Sequence, residues 1–389
     1  MKSERNWGRL GMKYKLKDIC FYATGKIDVN VLKGTDYIST ENMLPNKEGV
    51  TTASSLPKTA QTRAYQKGDV LVSNIRPYFK KIWFADCDGG CSNDVLVLRA
   101  KENINAKFLY YVLADDAFFN YSTATSKGTK MPRGDKTAIM QYEVPNFDLL
   151  TQKKIAAILS NIDEKIELNN RINDNLEQQA RAIFSNEFLN LEVLPDGWKQ
   201  ASLIDIADYL NGLAMQKHRP TADEAGIPVL KIKELRQGCC DDNSELCSPN
   251  IKSEYIIHDG DVIFSWSGSL LVDFWCGGIC GLNQHLFKVA SNKYNKWFYY
   301  AWTKHHLDRF IAVAADKATT MGHIKRDELS KAEVLIPNEA DYKRIGALLQ
   351  PIYDLIIANR IENKNLVKTR DTLLPKLMSG ELDVSDIEL

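Results

Sequence analysis

Residues 151–188 have the sequence TQKKIAAILSNIDEKIELNNRINDNLEQQARAIFSNEF, which contains neither proline nor glycine. Apolar or seam-compatible residues recur in it at alternating steps of four and three, the spacing of one long helix with a coiled-coil face. The positions on that face are Ile155, Leu159, Ile162, Ile166, Asn169, Asn173, Leu176, Ala180 and Ile183. One such stripe alone is more often the core-facing side of an ordinary helix.

The same stripe occurs a second time, 190 residues later. Its positions are Ile345, Leu349, Ile352, Ile356, Asn359, Asn363, Leu366, Arg370 and Leu373. Both asparagines of the first stripe recur in the second. A buried asparagine at a seam position lowers stability but fixes register and partner. The repetition therefore predicts that the two helices pack on each other through paired asparagine layers.

Length and composition indicate a globular protein with more than one domain. The chain has 389 residues, of which 44% are hydrophobic and 26% charged. Its 50 basic and 50 acidic side chains cancel, so any basic surface that attracts nucleic acid must be local. The N-terminal sequence MKSERNWGRLGMKYKL lacks the apolar segment of a signal peptide, and no apolar run has the length of a membrane span. We therefore expect a cytoplasmic protein without membrane contact.

The eight cysteines are expected to be reduced structural thiols. Cys87 with Cys91, and Cys276 with Cys280, share a C-x3-C spacing that raises the question of zinc. The other candidate ligands do not complete a known finger or ribbon spacing; they are Cys239, Cys240, Cys247 and His285. We expect no metal site.

The repeat extends beyond the helices, at an offset of 190 to 192 residues. The segment 67–73 (KGDVLVS) corresponds to 259–265 (DGDVIFS), and 34–43 corresponds to 226–235. Val144-Pro145-Asn146 likewise corresponds to Ile336-Pro337-Asn338. The sequence thus predicts a tandem duplication in which each half contains an α+β domain.

Three details are predicted within this plan. An amphipathic aromatic helix is expected at 107–120 and again at 296–312, with its aromatic stripe in the core rather than stacked on bases. Pro351 is expected to interrupt the second long helix. Arg370, a charged residue at a seam position, is expected to disturb the end of that helix.

The two halves differ most in their loops. Residues 122–137 (STATSKGTKMPRGDKT) carry four basic side chains against one acid, and the matching segment is 316–326 (DKATTMGHIKR). Basic, hydroxyl-rich loops on a rigid scaffold suit phosphate and base-edge contacts, although a merely solvated loop is the alternative. Polar residues also follow the Gly-Asp strands. The candidate DNA-binding residues are Ser73, Asn74, Arg76, Lys127, Thr129, Lys130, Arg133, Ser265, Ser267, Ser269, Thr319, Thr320, His323 and Lys325.

Searches for catalytic motifs find none. The sequence has no Gly-x-Ser-x-Gly, no Gly-x4-Gly-Lys phosphate loop, no His-Glu-x-x-His and no adenine methyltransferase motif of the Asn-Pro-Pro-Tyr type. We therefore expect a chain that is not itself an enzyme.

The whole chain resembles the specificity subunit of a type I restriction-modification system. The resemblance is carried by the two similar halves, the Gly-Asp-Val-Ile-Phe-Ser strand, the Pro-Asn strand end before each long helix, and the closing segment TLLPKLMSGEL at 372–382. It implies two pseudo-symmetric target recognition domains, each recognising one half of a split double-stranded DNA site, separated by an antiparallel coiled coil. It also implies that the helices set the spacing and dock methyltransferase subunits, two in number, which carry the S-adenosylmethionine. A restriction and translocation subunit would complete the complex, and this chain would bind no cofactor.

The antiparallel arrangement also follows from the length of the connection. Only the fourteen residues 185–198 join the first long helix to the second half. A parallel pair would need them nearly fully extended along a seam of about 42 Å, at ~3.3 Å per residue. We therefore expect domain one at 1–148, the central helix at 149–190, domain two at 191–340, and the second helix and tail at 341–389.

Two other functions remain possible from the sequence. The chain is alternatively the DNA-recognition part of another modification or defence enzyme, which methyl transfer by the purified chain would indicate. It is alternatively a coiled-coil adaptor, which a lack of DNA binding by the assembled complex would indicate. Neither explains a duplication with divergent polar loops as well.

Overall fold

The computed structural model describes residues 14–316 and 326–387. It contains two compact units. The first comprises residues up to Glu164 together with those from Val367 onward, and the second comprises Lys165–Leu366. Both boundaries fall inside long helices. Among the described residues, no helix is long and apolar enough to cross a membrane.

The described residues of unit 1 form ten short strands and the helices α1 to α4. Its strands are β1 (Tyr14–Lys15), β2 (Cys20–Tyr22), β3 (Lys26–Asp28), β4 (Tyr37–Ile38), β5 (Gln61–Tyr65), β6 (Val70–Ser73), β7 (Ile82–Phe84), β8 (Gly89–Cys91), β9 (Val95–Ala100) and β10 (Glu143–Val144). Its short helices are α1 (Leu16–Ile19), α2 (Ala106–Ala114), α3 (Asp116–Ala124) and α4 (Lys136–Ile139). The long helix α5 (Leu149–Phe184) begins in this unit.

Unit 2 repeats this plan. Its strands are β11 (Lys199–Ser202), β12 (Asp208–Asn211), β13 (Ile227–Leu230), β14 (Leu246–Cys247), β15 (Ile256–Ile257), β16 (Val262–Ser265), β17 (Leu271–Phe274), β18 (Cys280–Leu282), β19 (Leu286–Ala290) and β20 (Glu333–Ile336). Its helices are α6 (Leu203–Ile206), α7 (Ile232–Gln237), α8 (Lys296–His305), α9 (Leu307–Asp316) and α10 (Arg326–Ser330). The long helix α11 (Glu339–Ser379) begins here.

The sheet topology confirms the tandem duplication. An antiparallel sheet of order β2-β9-β6-β7 in unit 1 has its equivalent in β12-β19-β16-β17 of unit 2. The parallel pairing of β4 with β8 recurs as β13 with β18. The second sheets differ at both edges, because β3 extends beyond β5 at one edge in unit 1, whereas β14 extends beyond β13 at the opposite edge in unit 2.

The aromatic residues of the short helices lie in the core, as predicted, but each predicted helix is broken. Phe108 and Tyr111 of α2, and Trp297 and Phe298 of α8, are buried. Asp115 is extended and its carboxylate accepts a hydrogen bond from the N–H of Ala117, which ends α2 and caps α3. The prediction of one helix at 107–120 and at 296–312 was therefore wrong.

The long helices are confirmed. A wide π-helical turn over Ser185–Leu189 continues α5. Asp148 and Asn338 occupy equivalent positions before the two helices and accept hydrogen bonds from the N–H groups of Thr151 (2.8 Å) and Asp341 (2.9 Å). The predicted interruption at Pro351 was wrong, because α11 is unbroken there. The proline ring is exposed, so its missing hydrogen bond lies on the solvent side.

Contacts within unit 2 show that the helices run antiparallel. The Nδ2 of Asn169 donates to Oδ1 of Asn363 at 2.8 Å, and the Nδ2 of Asn359 donates to Oδ1 of Asn173 at 2.9 Å. As the residue number rises from 169 to 173 along α5, the number of the bonded residue falls from 363 to 359 along α11, which only an antiparallel pair allows. The seam positions Ile345, Leu349 and Ile356 are buried, whereas Ile166, Leu176, Ile352 and Leu366 are partly buried.

In unit 1 the seam positions join the domain core. Ile155 and Leu159 of α5 lie in one hydrophobic cluster with Leu374 and Leu377 of α11, and Ile162 is partly buried. Arg370, the charged seam residue, does not end the helix. Its guanidinium donates to Asp163 at 2.9 Å. Burial opposes the charge of Arg370, but Asp163 outweighs it and raises the pKa of the guanidinium.

The asparagine layer can be tested by substitution. Asn359→Ala is expected to lower the free energy of unfolding by about 1–3 kcal/mol, because it leaves the Oδ1 of Asn173 buried without a donor. The measurement is urea denaturation of the full chain. Asn365→Ala, at an exposed position of the same helix, is the matched control and is expected to change stability by less than about 0.5 kcal/mol. Equal effects of the two substitutions would contradict a stabilising role for the layer.

Candidate nucleic-acid interface

Three loops meet at one end of the first sheet in unit 1, and we call this place the first corner. They are the loop after β6 (74–81), the connection before β9 (92–94) and the loop between α3 and α4 (125–135). The N–H of Asn74 donates to the carbonyl of Asp94 at 2.8 Å, and the N–H of Arg76 donates to the carbonyl of Pro132 at 2.8 Å. The structure thus brings together two loops that the sequence analysis proposed separately for DNA binding.

Gly134 allows this close approach. Its N–H donates to the carbonyl of Asn74 at 3.0 Å. A Cβ atom at this position would lie 2.8 Å from Oδ1 of Asn74 and 2.9 Å from Cδ1 of Ile139. A larger residue would therefore push the basic loop away from the strand end.

The basic residues of the first corner differ in their availability. The ammonium of Lys127 pairs with Asp135, and the hydrogen bond from Lys127 lowers the pKa of that carboxyl. Arg133 pairs with Asp94 at 3.2 Å while remaining half exposed. Arg76 and Lys130 are exposed, as is Thr129, and the described part of the chain offers no acidic partner to either cation. These two charges are the ones free to meet an anion.

Ser73 and Asn74, which the sequence nominated for DNA binding, do not face solvent. Their exposed fractions are 4% and 8%. The Ser73 hydroxyl donates to the carbonyl of Ile75 at 3.1 Å, and Asn74 is bound through its backbone to both neighbouring loops. Both side chains therefore have little exposed surface, and their contact with DNA stays a prediction.

Unit 2 has the equivalent second corner, formed by the loop after β16 (266–270) and the connection before β19 (283–285). Ser265 is fully buried and donates to the carbonyl of Ser269 at 2.8 Å. Ser267 is also buried, with its hydroxyl 3.2 Å from Nδ1 of His285. The contact of Ser265 and Ser267 with DNA likewise stays a prediction.

Ser269 is exposed and remains a candidate. It lines a groove together with Arg236 of α7, Leu270 and Ile311 of α9. Arg236 is exposed as well, so this groove presents a cation beside a hydroxyl. The remaining nominated residues, Thr319, Thr320, His323 and Lys325, lie outside the described residues.

Sequence reasoning missed several residues of both corners. In the second corner the indole N–H of Trp266 donates to Asn211 at 3.0 Å, and His285 contacts the Gln284 amide at 3.3 Å. In the first corner, Tyr78 and Phe79 are exposed. The Arg76-Pro77 dipeptide is a turn signal that could have drawn attention to the aromatic pair. No local pattern marks residues 211 and 284–285, which only the sheet brings near the loop after β16.

The seam and the corners contain polar groups but no metal centre among residues 14–316 and 326–387, where no three His, Cys, Asp or Glu side chains form a ligand cluster. The Ser267 hydroxyl lies within hydrogen-bond distance of the His285 ring, but Ser267 is buried. The chemistry that the exposed groups can perform is hydrogen bonding and charge pairing.

A family model described as the type I restriction modification DNA specificity domain matches the chain twice, at residues 11–178 and 195–368. The specificity subunit of the type I restriction enzyme MjaIX from Methanocaldococcus jannaschii is 27% identical over 85% of this chain and 81% of its own length. The HindI specificity subunit of Haemophilus influenzae is 22% identical over 95% of this chain and 99% of its own length.

The fold has a solved counterpart. The crystal structure of a type I restriction-modification S subunit from M. genitalium superimposes with a TM-score of 0.58, at 15% identity, over 96% of both chains. That likeness concerns the fold, whereas the two matches of the family model cover most of the sequence, one in each half. The chain belongs to the type I restriction-modification DNA specificity family.

Proposed function

We propose that each domain of this specificity subunit recognises one half of a split DNA target through its corner, and that the long helices set the gap and dock methyltransferase subunits. The observation that carries the proposal is the duplicated corner. The same strand ends and buried serines recur in both units, whereas the exposed side chains around them differ. A retained scaffold with changed exposed groups suits two domains that recognise different bases.

The chain itself is proposed to be non-catalytic. The exposed groups of the corners can bind and orient DNA, and the methyl donor, S-adenosylmethionine, would belong to the partner methyltransferase subunits. We propose two such subunits, one for each half of the target, with a restriction and translocation subunit completing the assembly. A cytoplasmic location follows from this proposal, since the substrate is DNA.

The central test replaces one domain. Residues 1–148 are exchanged for the equivalent domain of a relative, and the chain is assembled with its methyltransferase subunits and S-adenosylmethionine. Mapping of methylated adenines is expected to show one half of the split target changed and the other half intact. The unaltered chain and the chain without methyltransferase subunits are the controls. A change in both halves together would contradict independent recognition, and methylation by the chain alone would contradict the non-catalytic role.

Lys130 is expected to meet a DNA phosphate, because it is an exposed cation without an acidic partner. Lys130→Ala should weaken binding of every duplex by a similar factor and reduce the slope of log affinity against log salt by about one. Titrations of the assembled methyltransferase at several salt concentrations measure this slope. Lys26→Ala, on the exposed strand β3 of the same unit, is the matched control. An unchanged slope for Lys130→Ala would exclude this phosphate contact.

The role of the helices in setting the gap can be tested by lengthening both. Residue 166 lies opposite residue 366 in the register set by the asparagine layers, so matched heptads belong after Ile166 and after Asn365. Seven residues add about 10 Å at ~1.5 Å each, which corresponds to roughly three base pairs at ~3.4 Å. We expect both half-sites to persist with a preferred gap two to three base pairs longer.

Methylation mapping on a library of gap lengths measures this preference. A heptad inserted into α5 alone is the control, since it displaces the asparagine layers and should impair assembly. If the doubly extended chain assembles and keeps the original gap, the helices do not set it.

A further inference from the structure

A strained turn projects from the first corner. Pro77–Phe79 form one 3-10 turn, and the residues on either side, Arg76 and Lys80, have left-handed φ angles of +49° and +52°. Residues other than glycine rarely adopt this conformation, and it persists only where surrounding structure imposes it. Asn46 and Lys47 are also left-handed, at +55° and +66°. Four of the five such residues among those described thus lie in these two segments, a concentration typical of functional loops.

Contacts on both sides hold the turn rigidly. The N–H of Asn46 donates to the carbonyl of Phe79 at 2.9 Å, and the N–H of Lys47 donates to the carbonyl of Lys80 at 3.0 Å. The ammonium groups of Lys47 and Lys80 both pair with Asp116, at 2.8 and 2.9 Å. Burial opposes ionisation of that carboxyl, but the two lysines outweigh it and lower its pKa. These charges are therefore engaged in fixing the turn.

The rigid turn exposes an aromatic pair beside a free cation. Tyr78 and Phe79 are 48% and 38% exposed, and their ring centroids are 4.8 Å apart. The exposed Arg76 precedes them, and the exposed Lys130 lies in the loop that Arg76 contacts through Pro132. Base pairs in DNA present apolar and polar edges, with phosphate groups on either side. Aromatic rings beside unpaired cations match that surface better than they match an apolar protein surface.

The equivalent loop of unit 2, which is described in full at 266–270, has no counterpart of this turn. The connection between β6 and β7 has eight residues (74–81), whereas that between β16 and β17 has five (266–270). The additional residues belong to the first domain alone. A feature restricted to one domain is suited to recognition of one half-site.

We propose that the turn at residues 76–80 enters the major groove of the half-site recognised by the first domain, where Arg76 donates to a purine base edge and Tyr78 with Phe79 packs on the neighbouring bases. The inference rests on the proposed function and assigns base contact to Arg76 and phosphate contact to Lys130. An arginine fork matches the N7 and O6 acceptors of guanine, and the imposed backbone fixes its direction. Every base pair presents one purine N7 in this groove, so the contact can be located.

The test removes the acceptor and the donor separately. Target duplexes carry a 7-deazapurine, which lacks N7, at one position at a time, and are bound by the assembled methyltransferase. The protein variant is Arg76→Gly, because glycine keeps the left-handed backbone without strain. For the unaltered protein, one 7-deaza position in the first half-site should lower affinity at least fivefold. Arg76→Gly should bind the unmodified duplex as weakly as the unaltered protein binds the 7-deaza duplex. The 7-deaza substitution at this position should not lower the affinity of Arg76→Gly further.

Two comparisons separate the possible results. Lys130→Ala should weaken all duplexes alike and keep the 7-deaza effect, and Tyr78→Ala should weaken target binding severalfold where Tyr78→Phe does not. If Arg76→Gly weakens all sequences uniformly while every 7-deaza effect persists, Arg76 contacts phosphate and the inference is overturned. Unchanged binding by Tyr78→Ala would likewise overturn insertion of the aromatic pair. In both cases the split target would still be methylated, whereas failure of the proposed function would show as no split target for the unaltered protein.

Discussion

The pairing of two asparagine layers fixes the register of α5 against α11. Leucine and isoleucine seams tolerate displacement by whole heptads, because every layer offers the same apolar contact. A hydrogen bond between Asn169 and Asn363, with a second between Asn173 and Asn359, is satisfied in one register only. Elements that contact the helices depend on that register. Arg360 of α11, for example, donates both to Glu177 of α5 (3.0 Å) and to Asp273 of β17 (2.7 Å), so the sheet of unit 2 is tied to the helix pair.

Unit 1 ties its domain to the helices with a different set of residues. Arg370 and the hydroxyl of Tyr111 both donate to Asp163, at 2.9 and 2.6 Å. At the equivalent positions of the repeat, Asp163 corresponds to Tyr353 and Arg370 to Ala180, so the pair has no copy. The duplication therefore retained the seam while each domain acquired its own polar connection. Breaking such a half-buried pair leaves a charge without compensation, which explains why a charged residue persists at a seam position.

Periodicity and repetition predicted the fold because they reflect contacts spread over many residues. The offset of 192 aligned Tyr37-Ile38 with Val229-Leu230, and these are the equivalent strands β4 and β13. The predictions that were wrong concern breaks within individual helices. The break between α8 and α9 occurs at His306, whose ring lies 2.8 Å from the carbonyl of Glu333, a contact that no local pattern shows. Pro351 stays helical because packing of Leu349 and Tyr353 on either side outweighs one lost hydrogen bond.

The candidate site could be predicted only in part, because a polar residue at a strand end either bonds within the protein or is exposed to a ligand, and the sequence does not distinguish the two. The hydroxyls of Ser73 and Ser265 donate to backbone carbonyls where each sheet stops and the loops begin, and the Ser267 hydroxyl contacts the ring of His285. Their side chains are committed internally and can be kept unchanged by both domains. Further along the chain, the side chains of Arg76 in one domain and Ser269 in the other are exposed. Under the proposed function, substitutions there would change what the corner recognises without disturbing the buried hydrogen bonds, and one duplicated scaffold could then acquire two specificities.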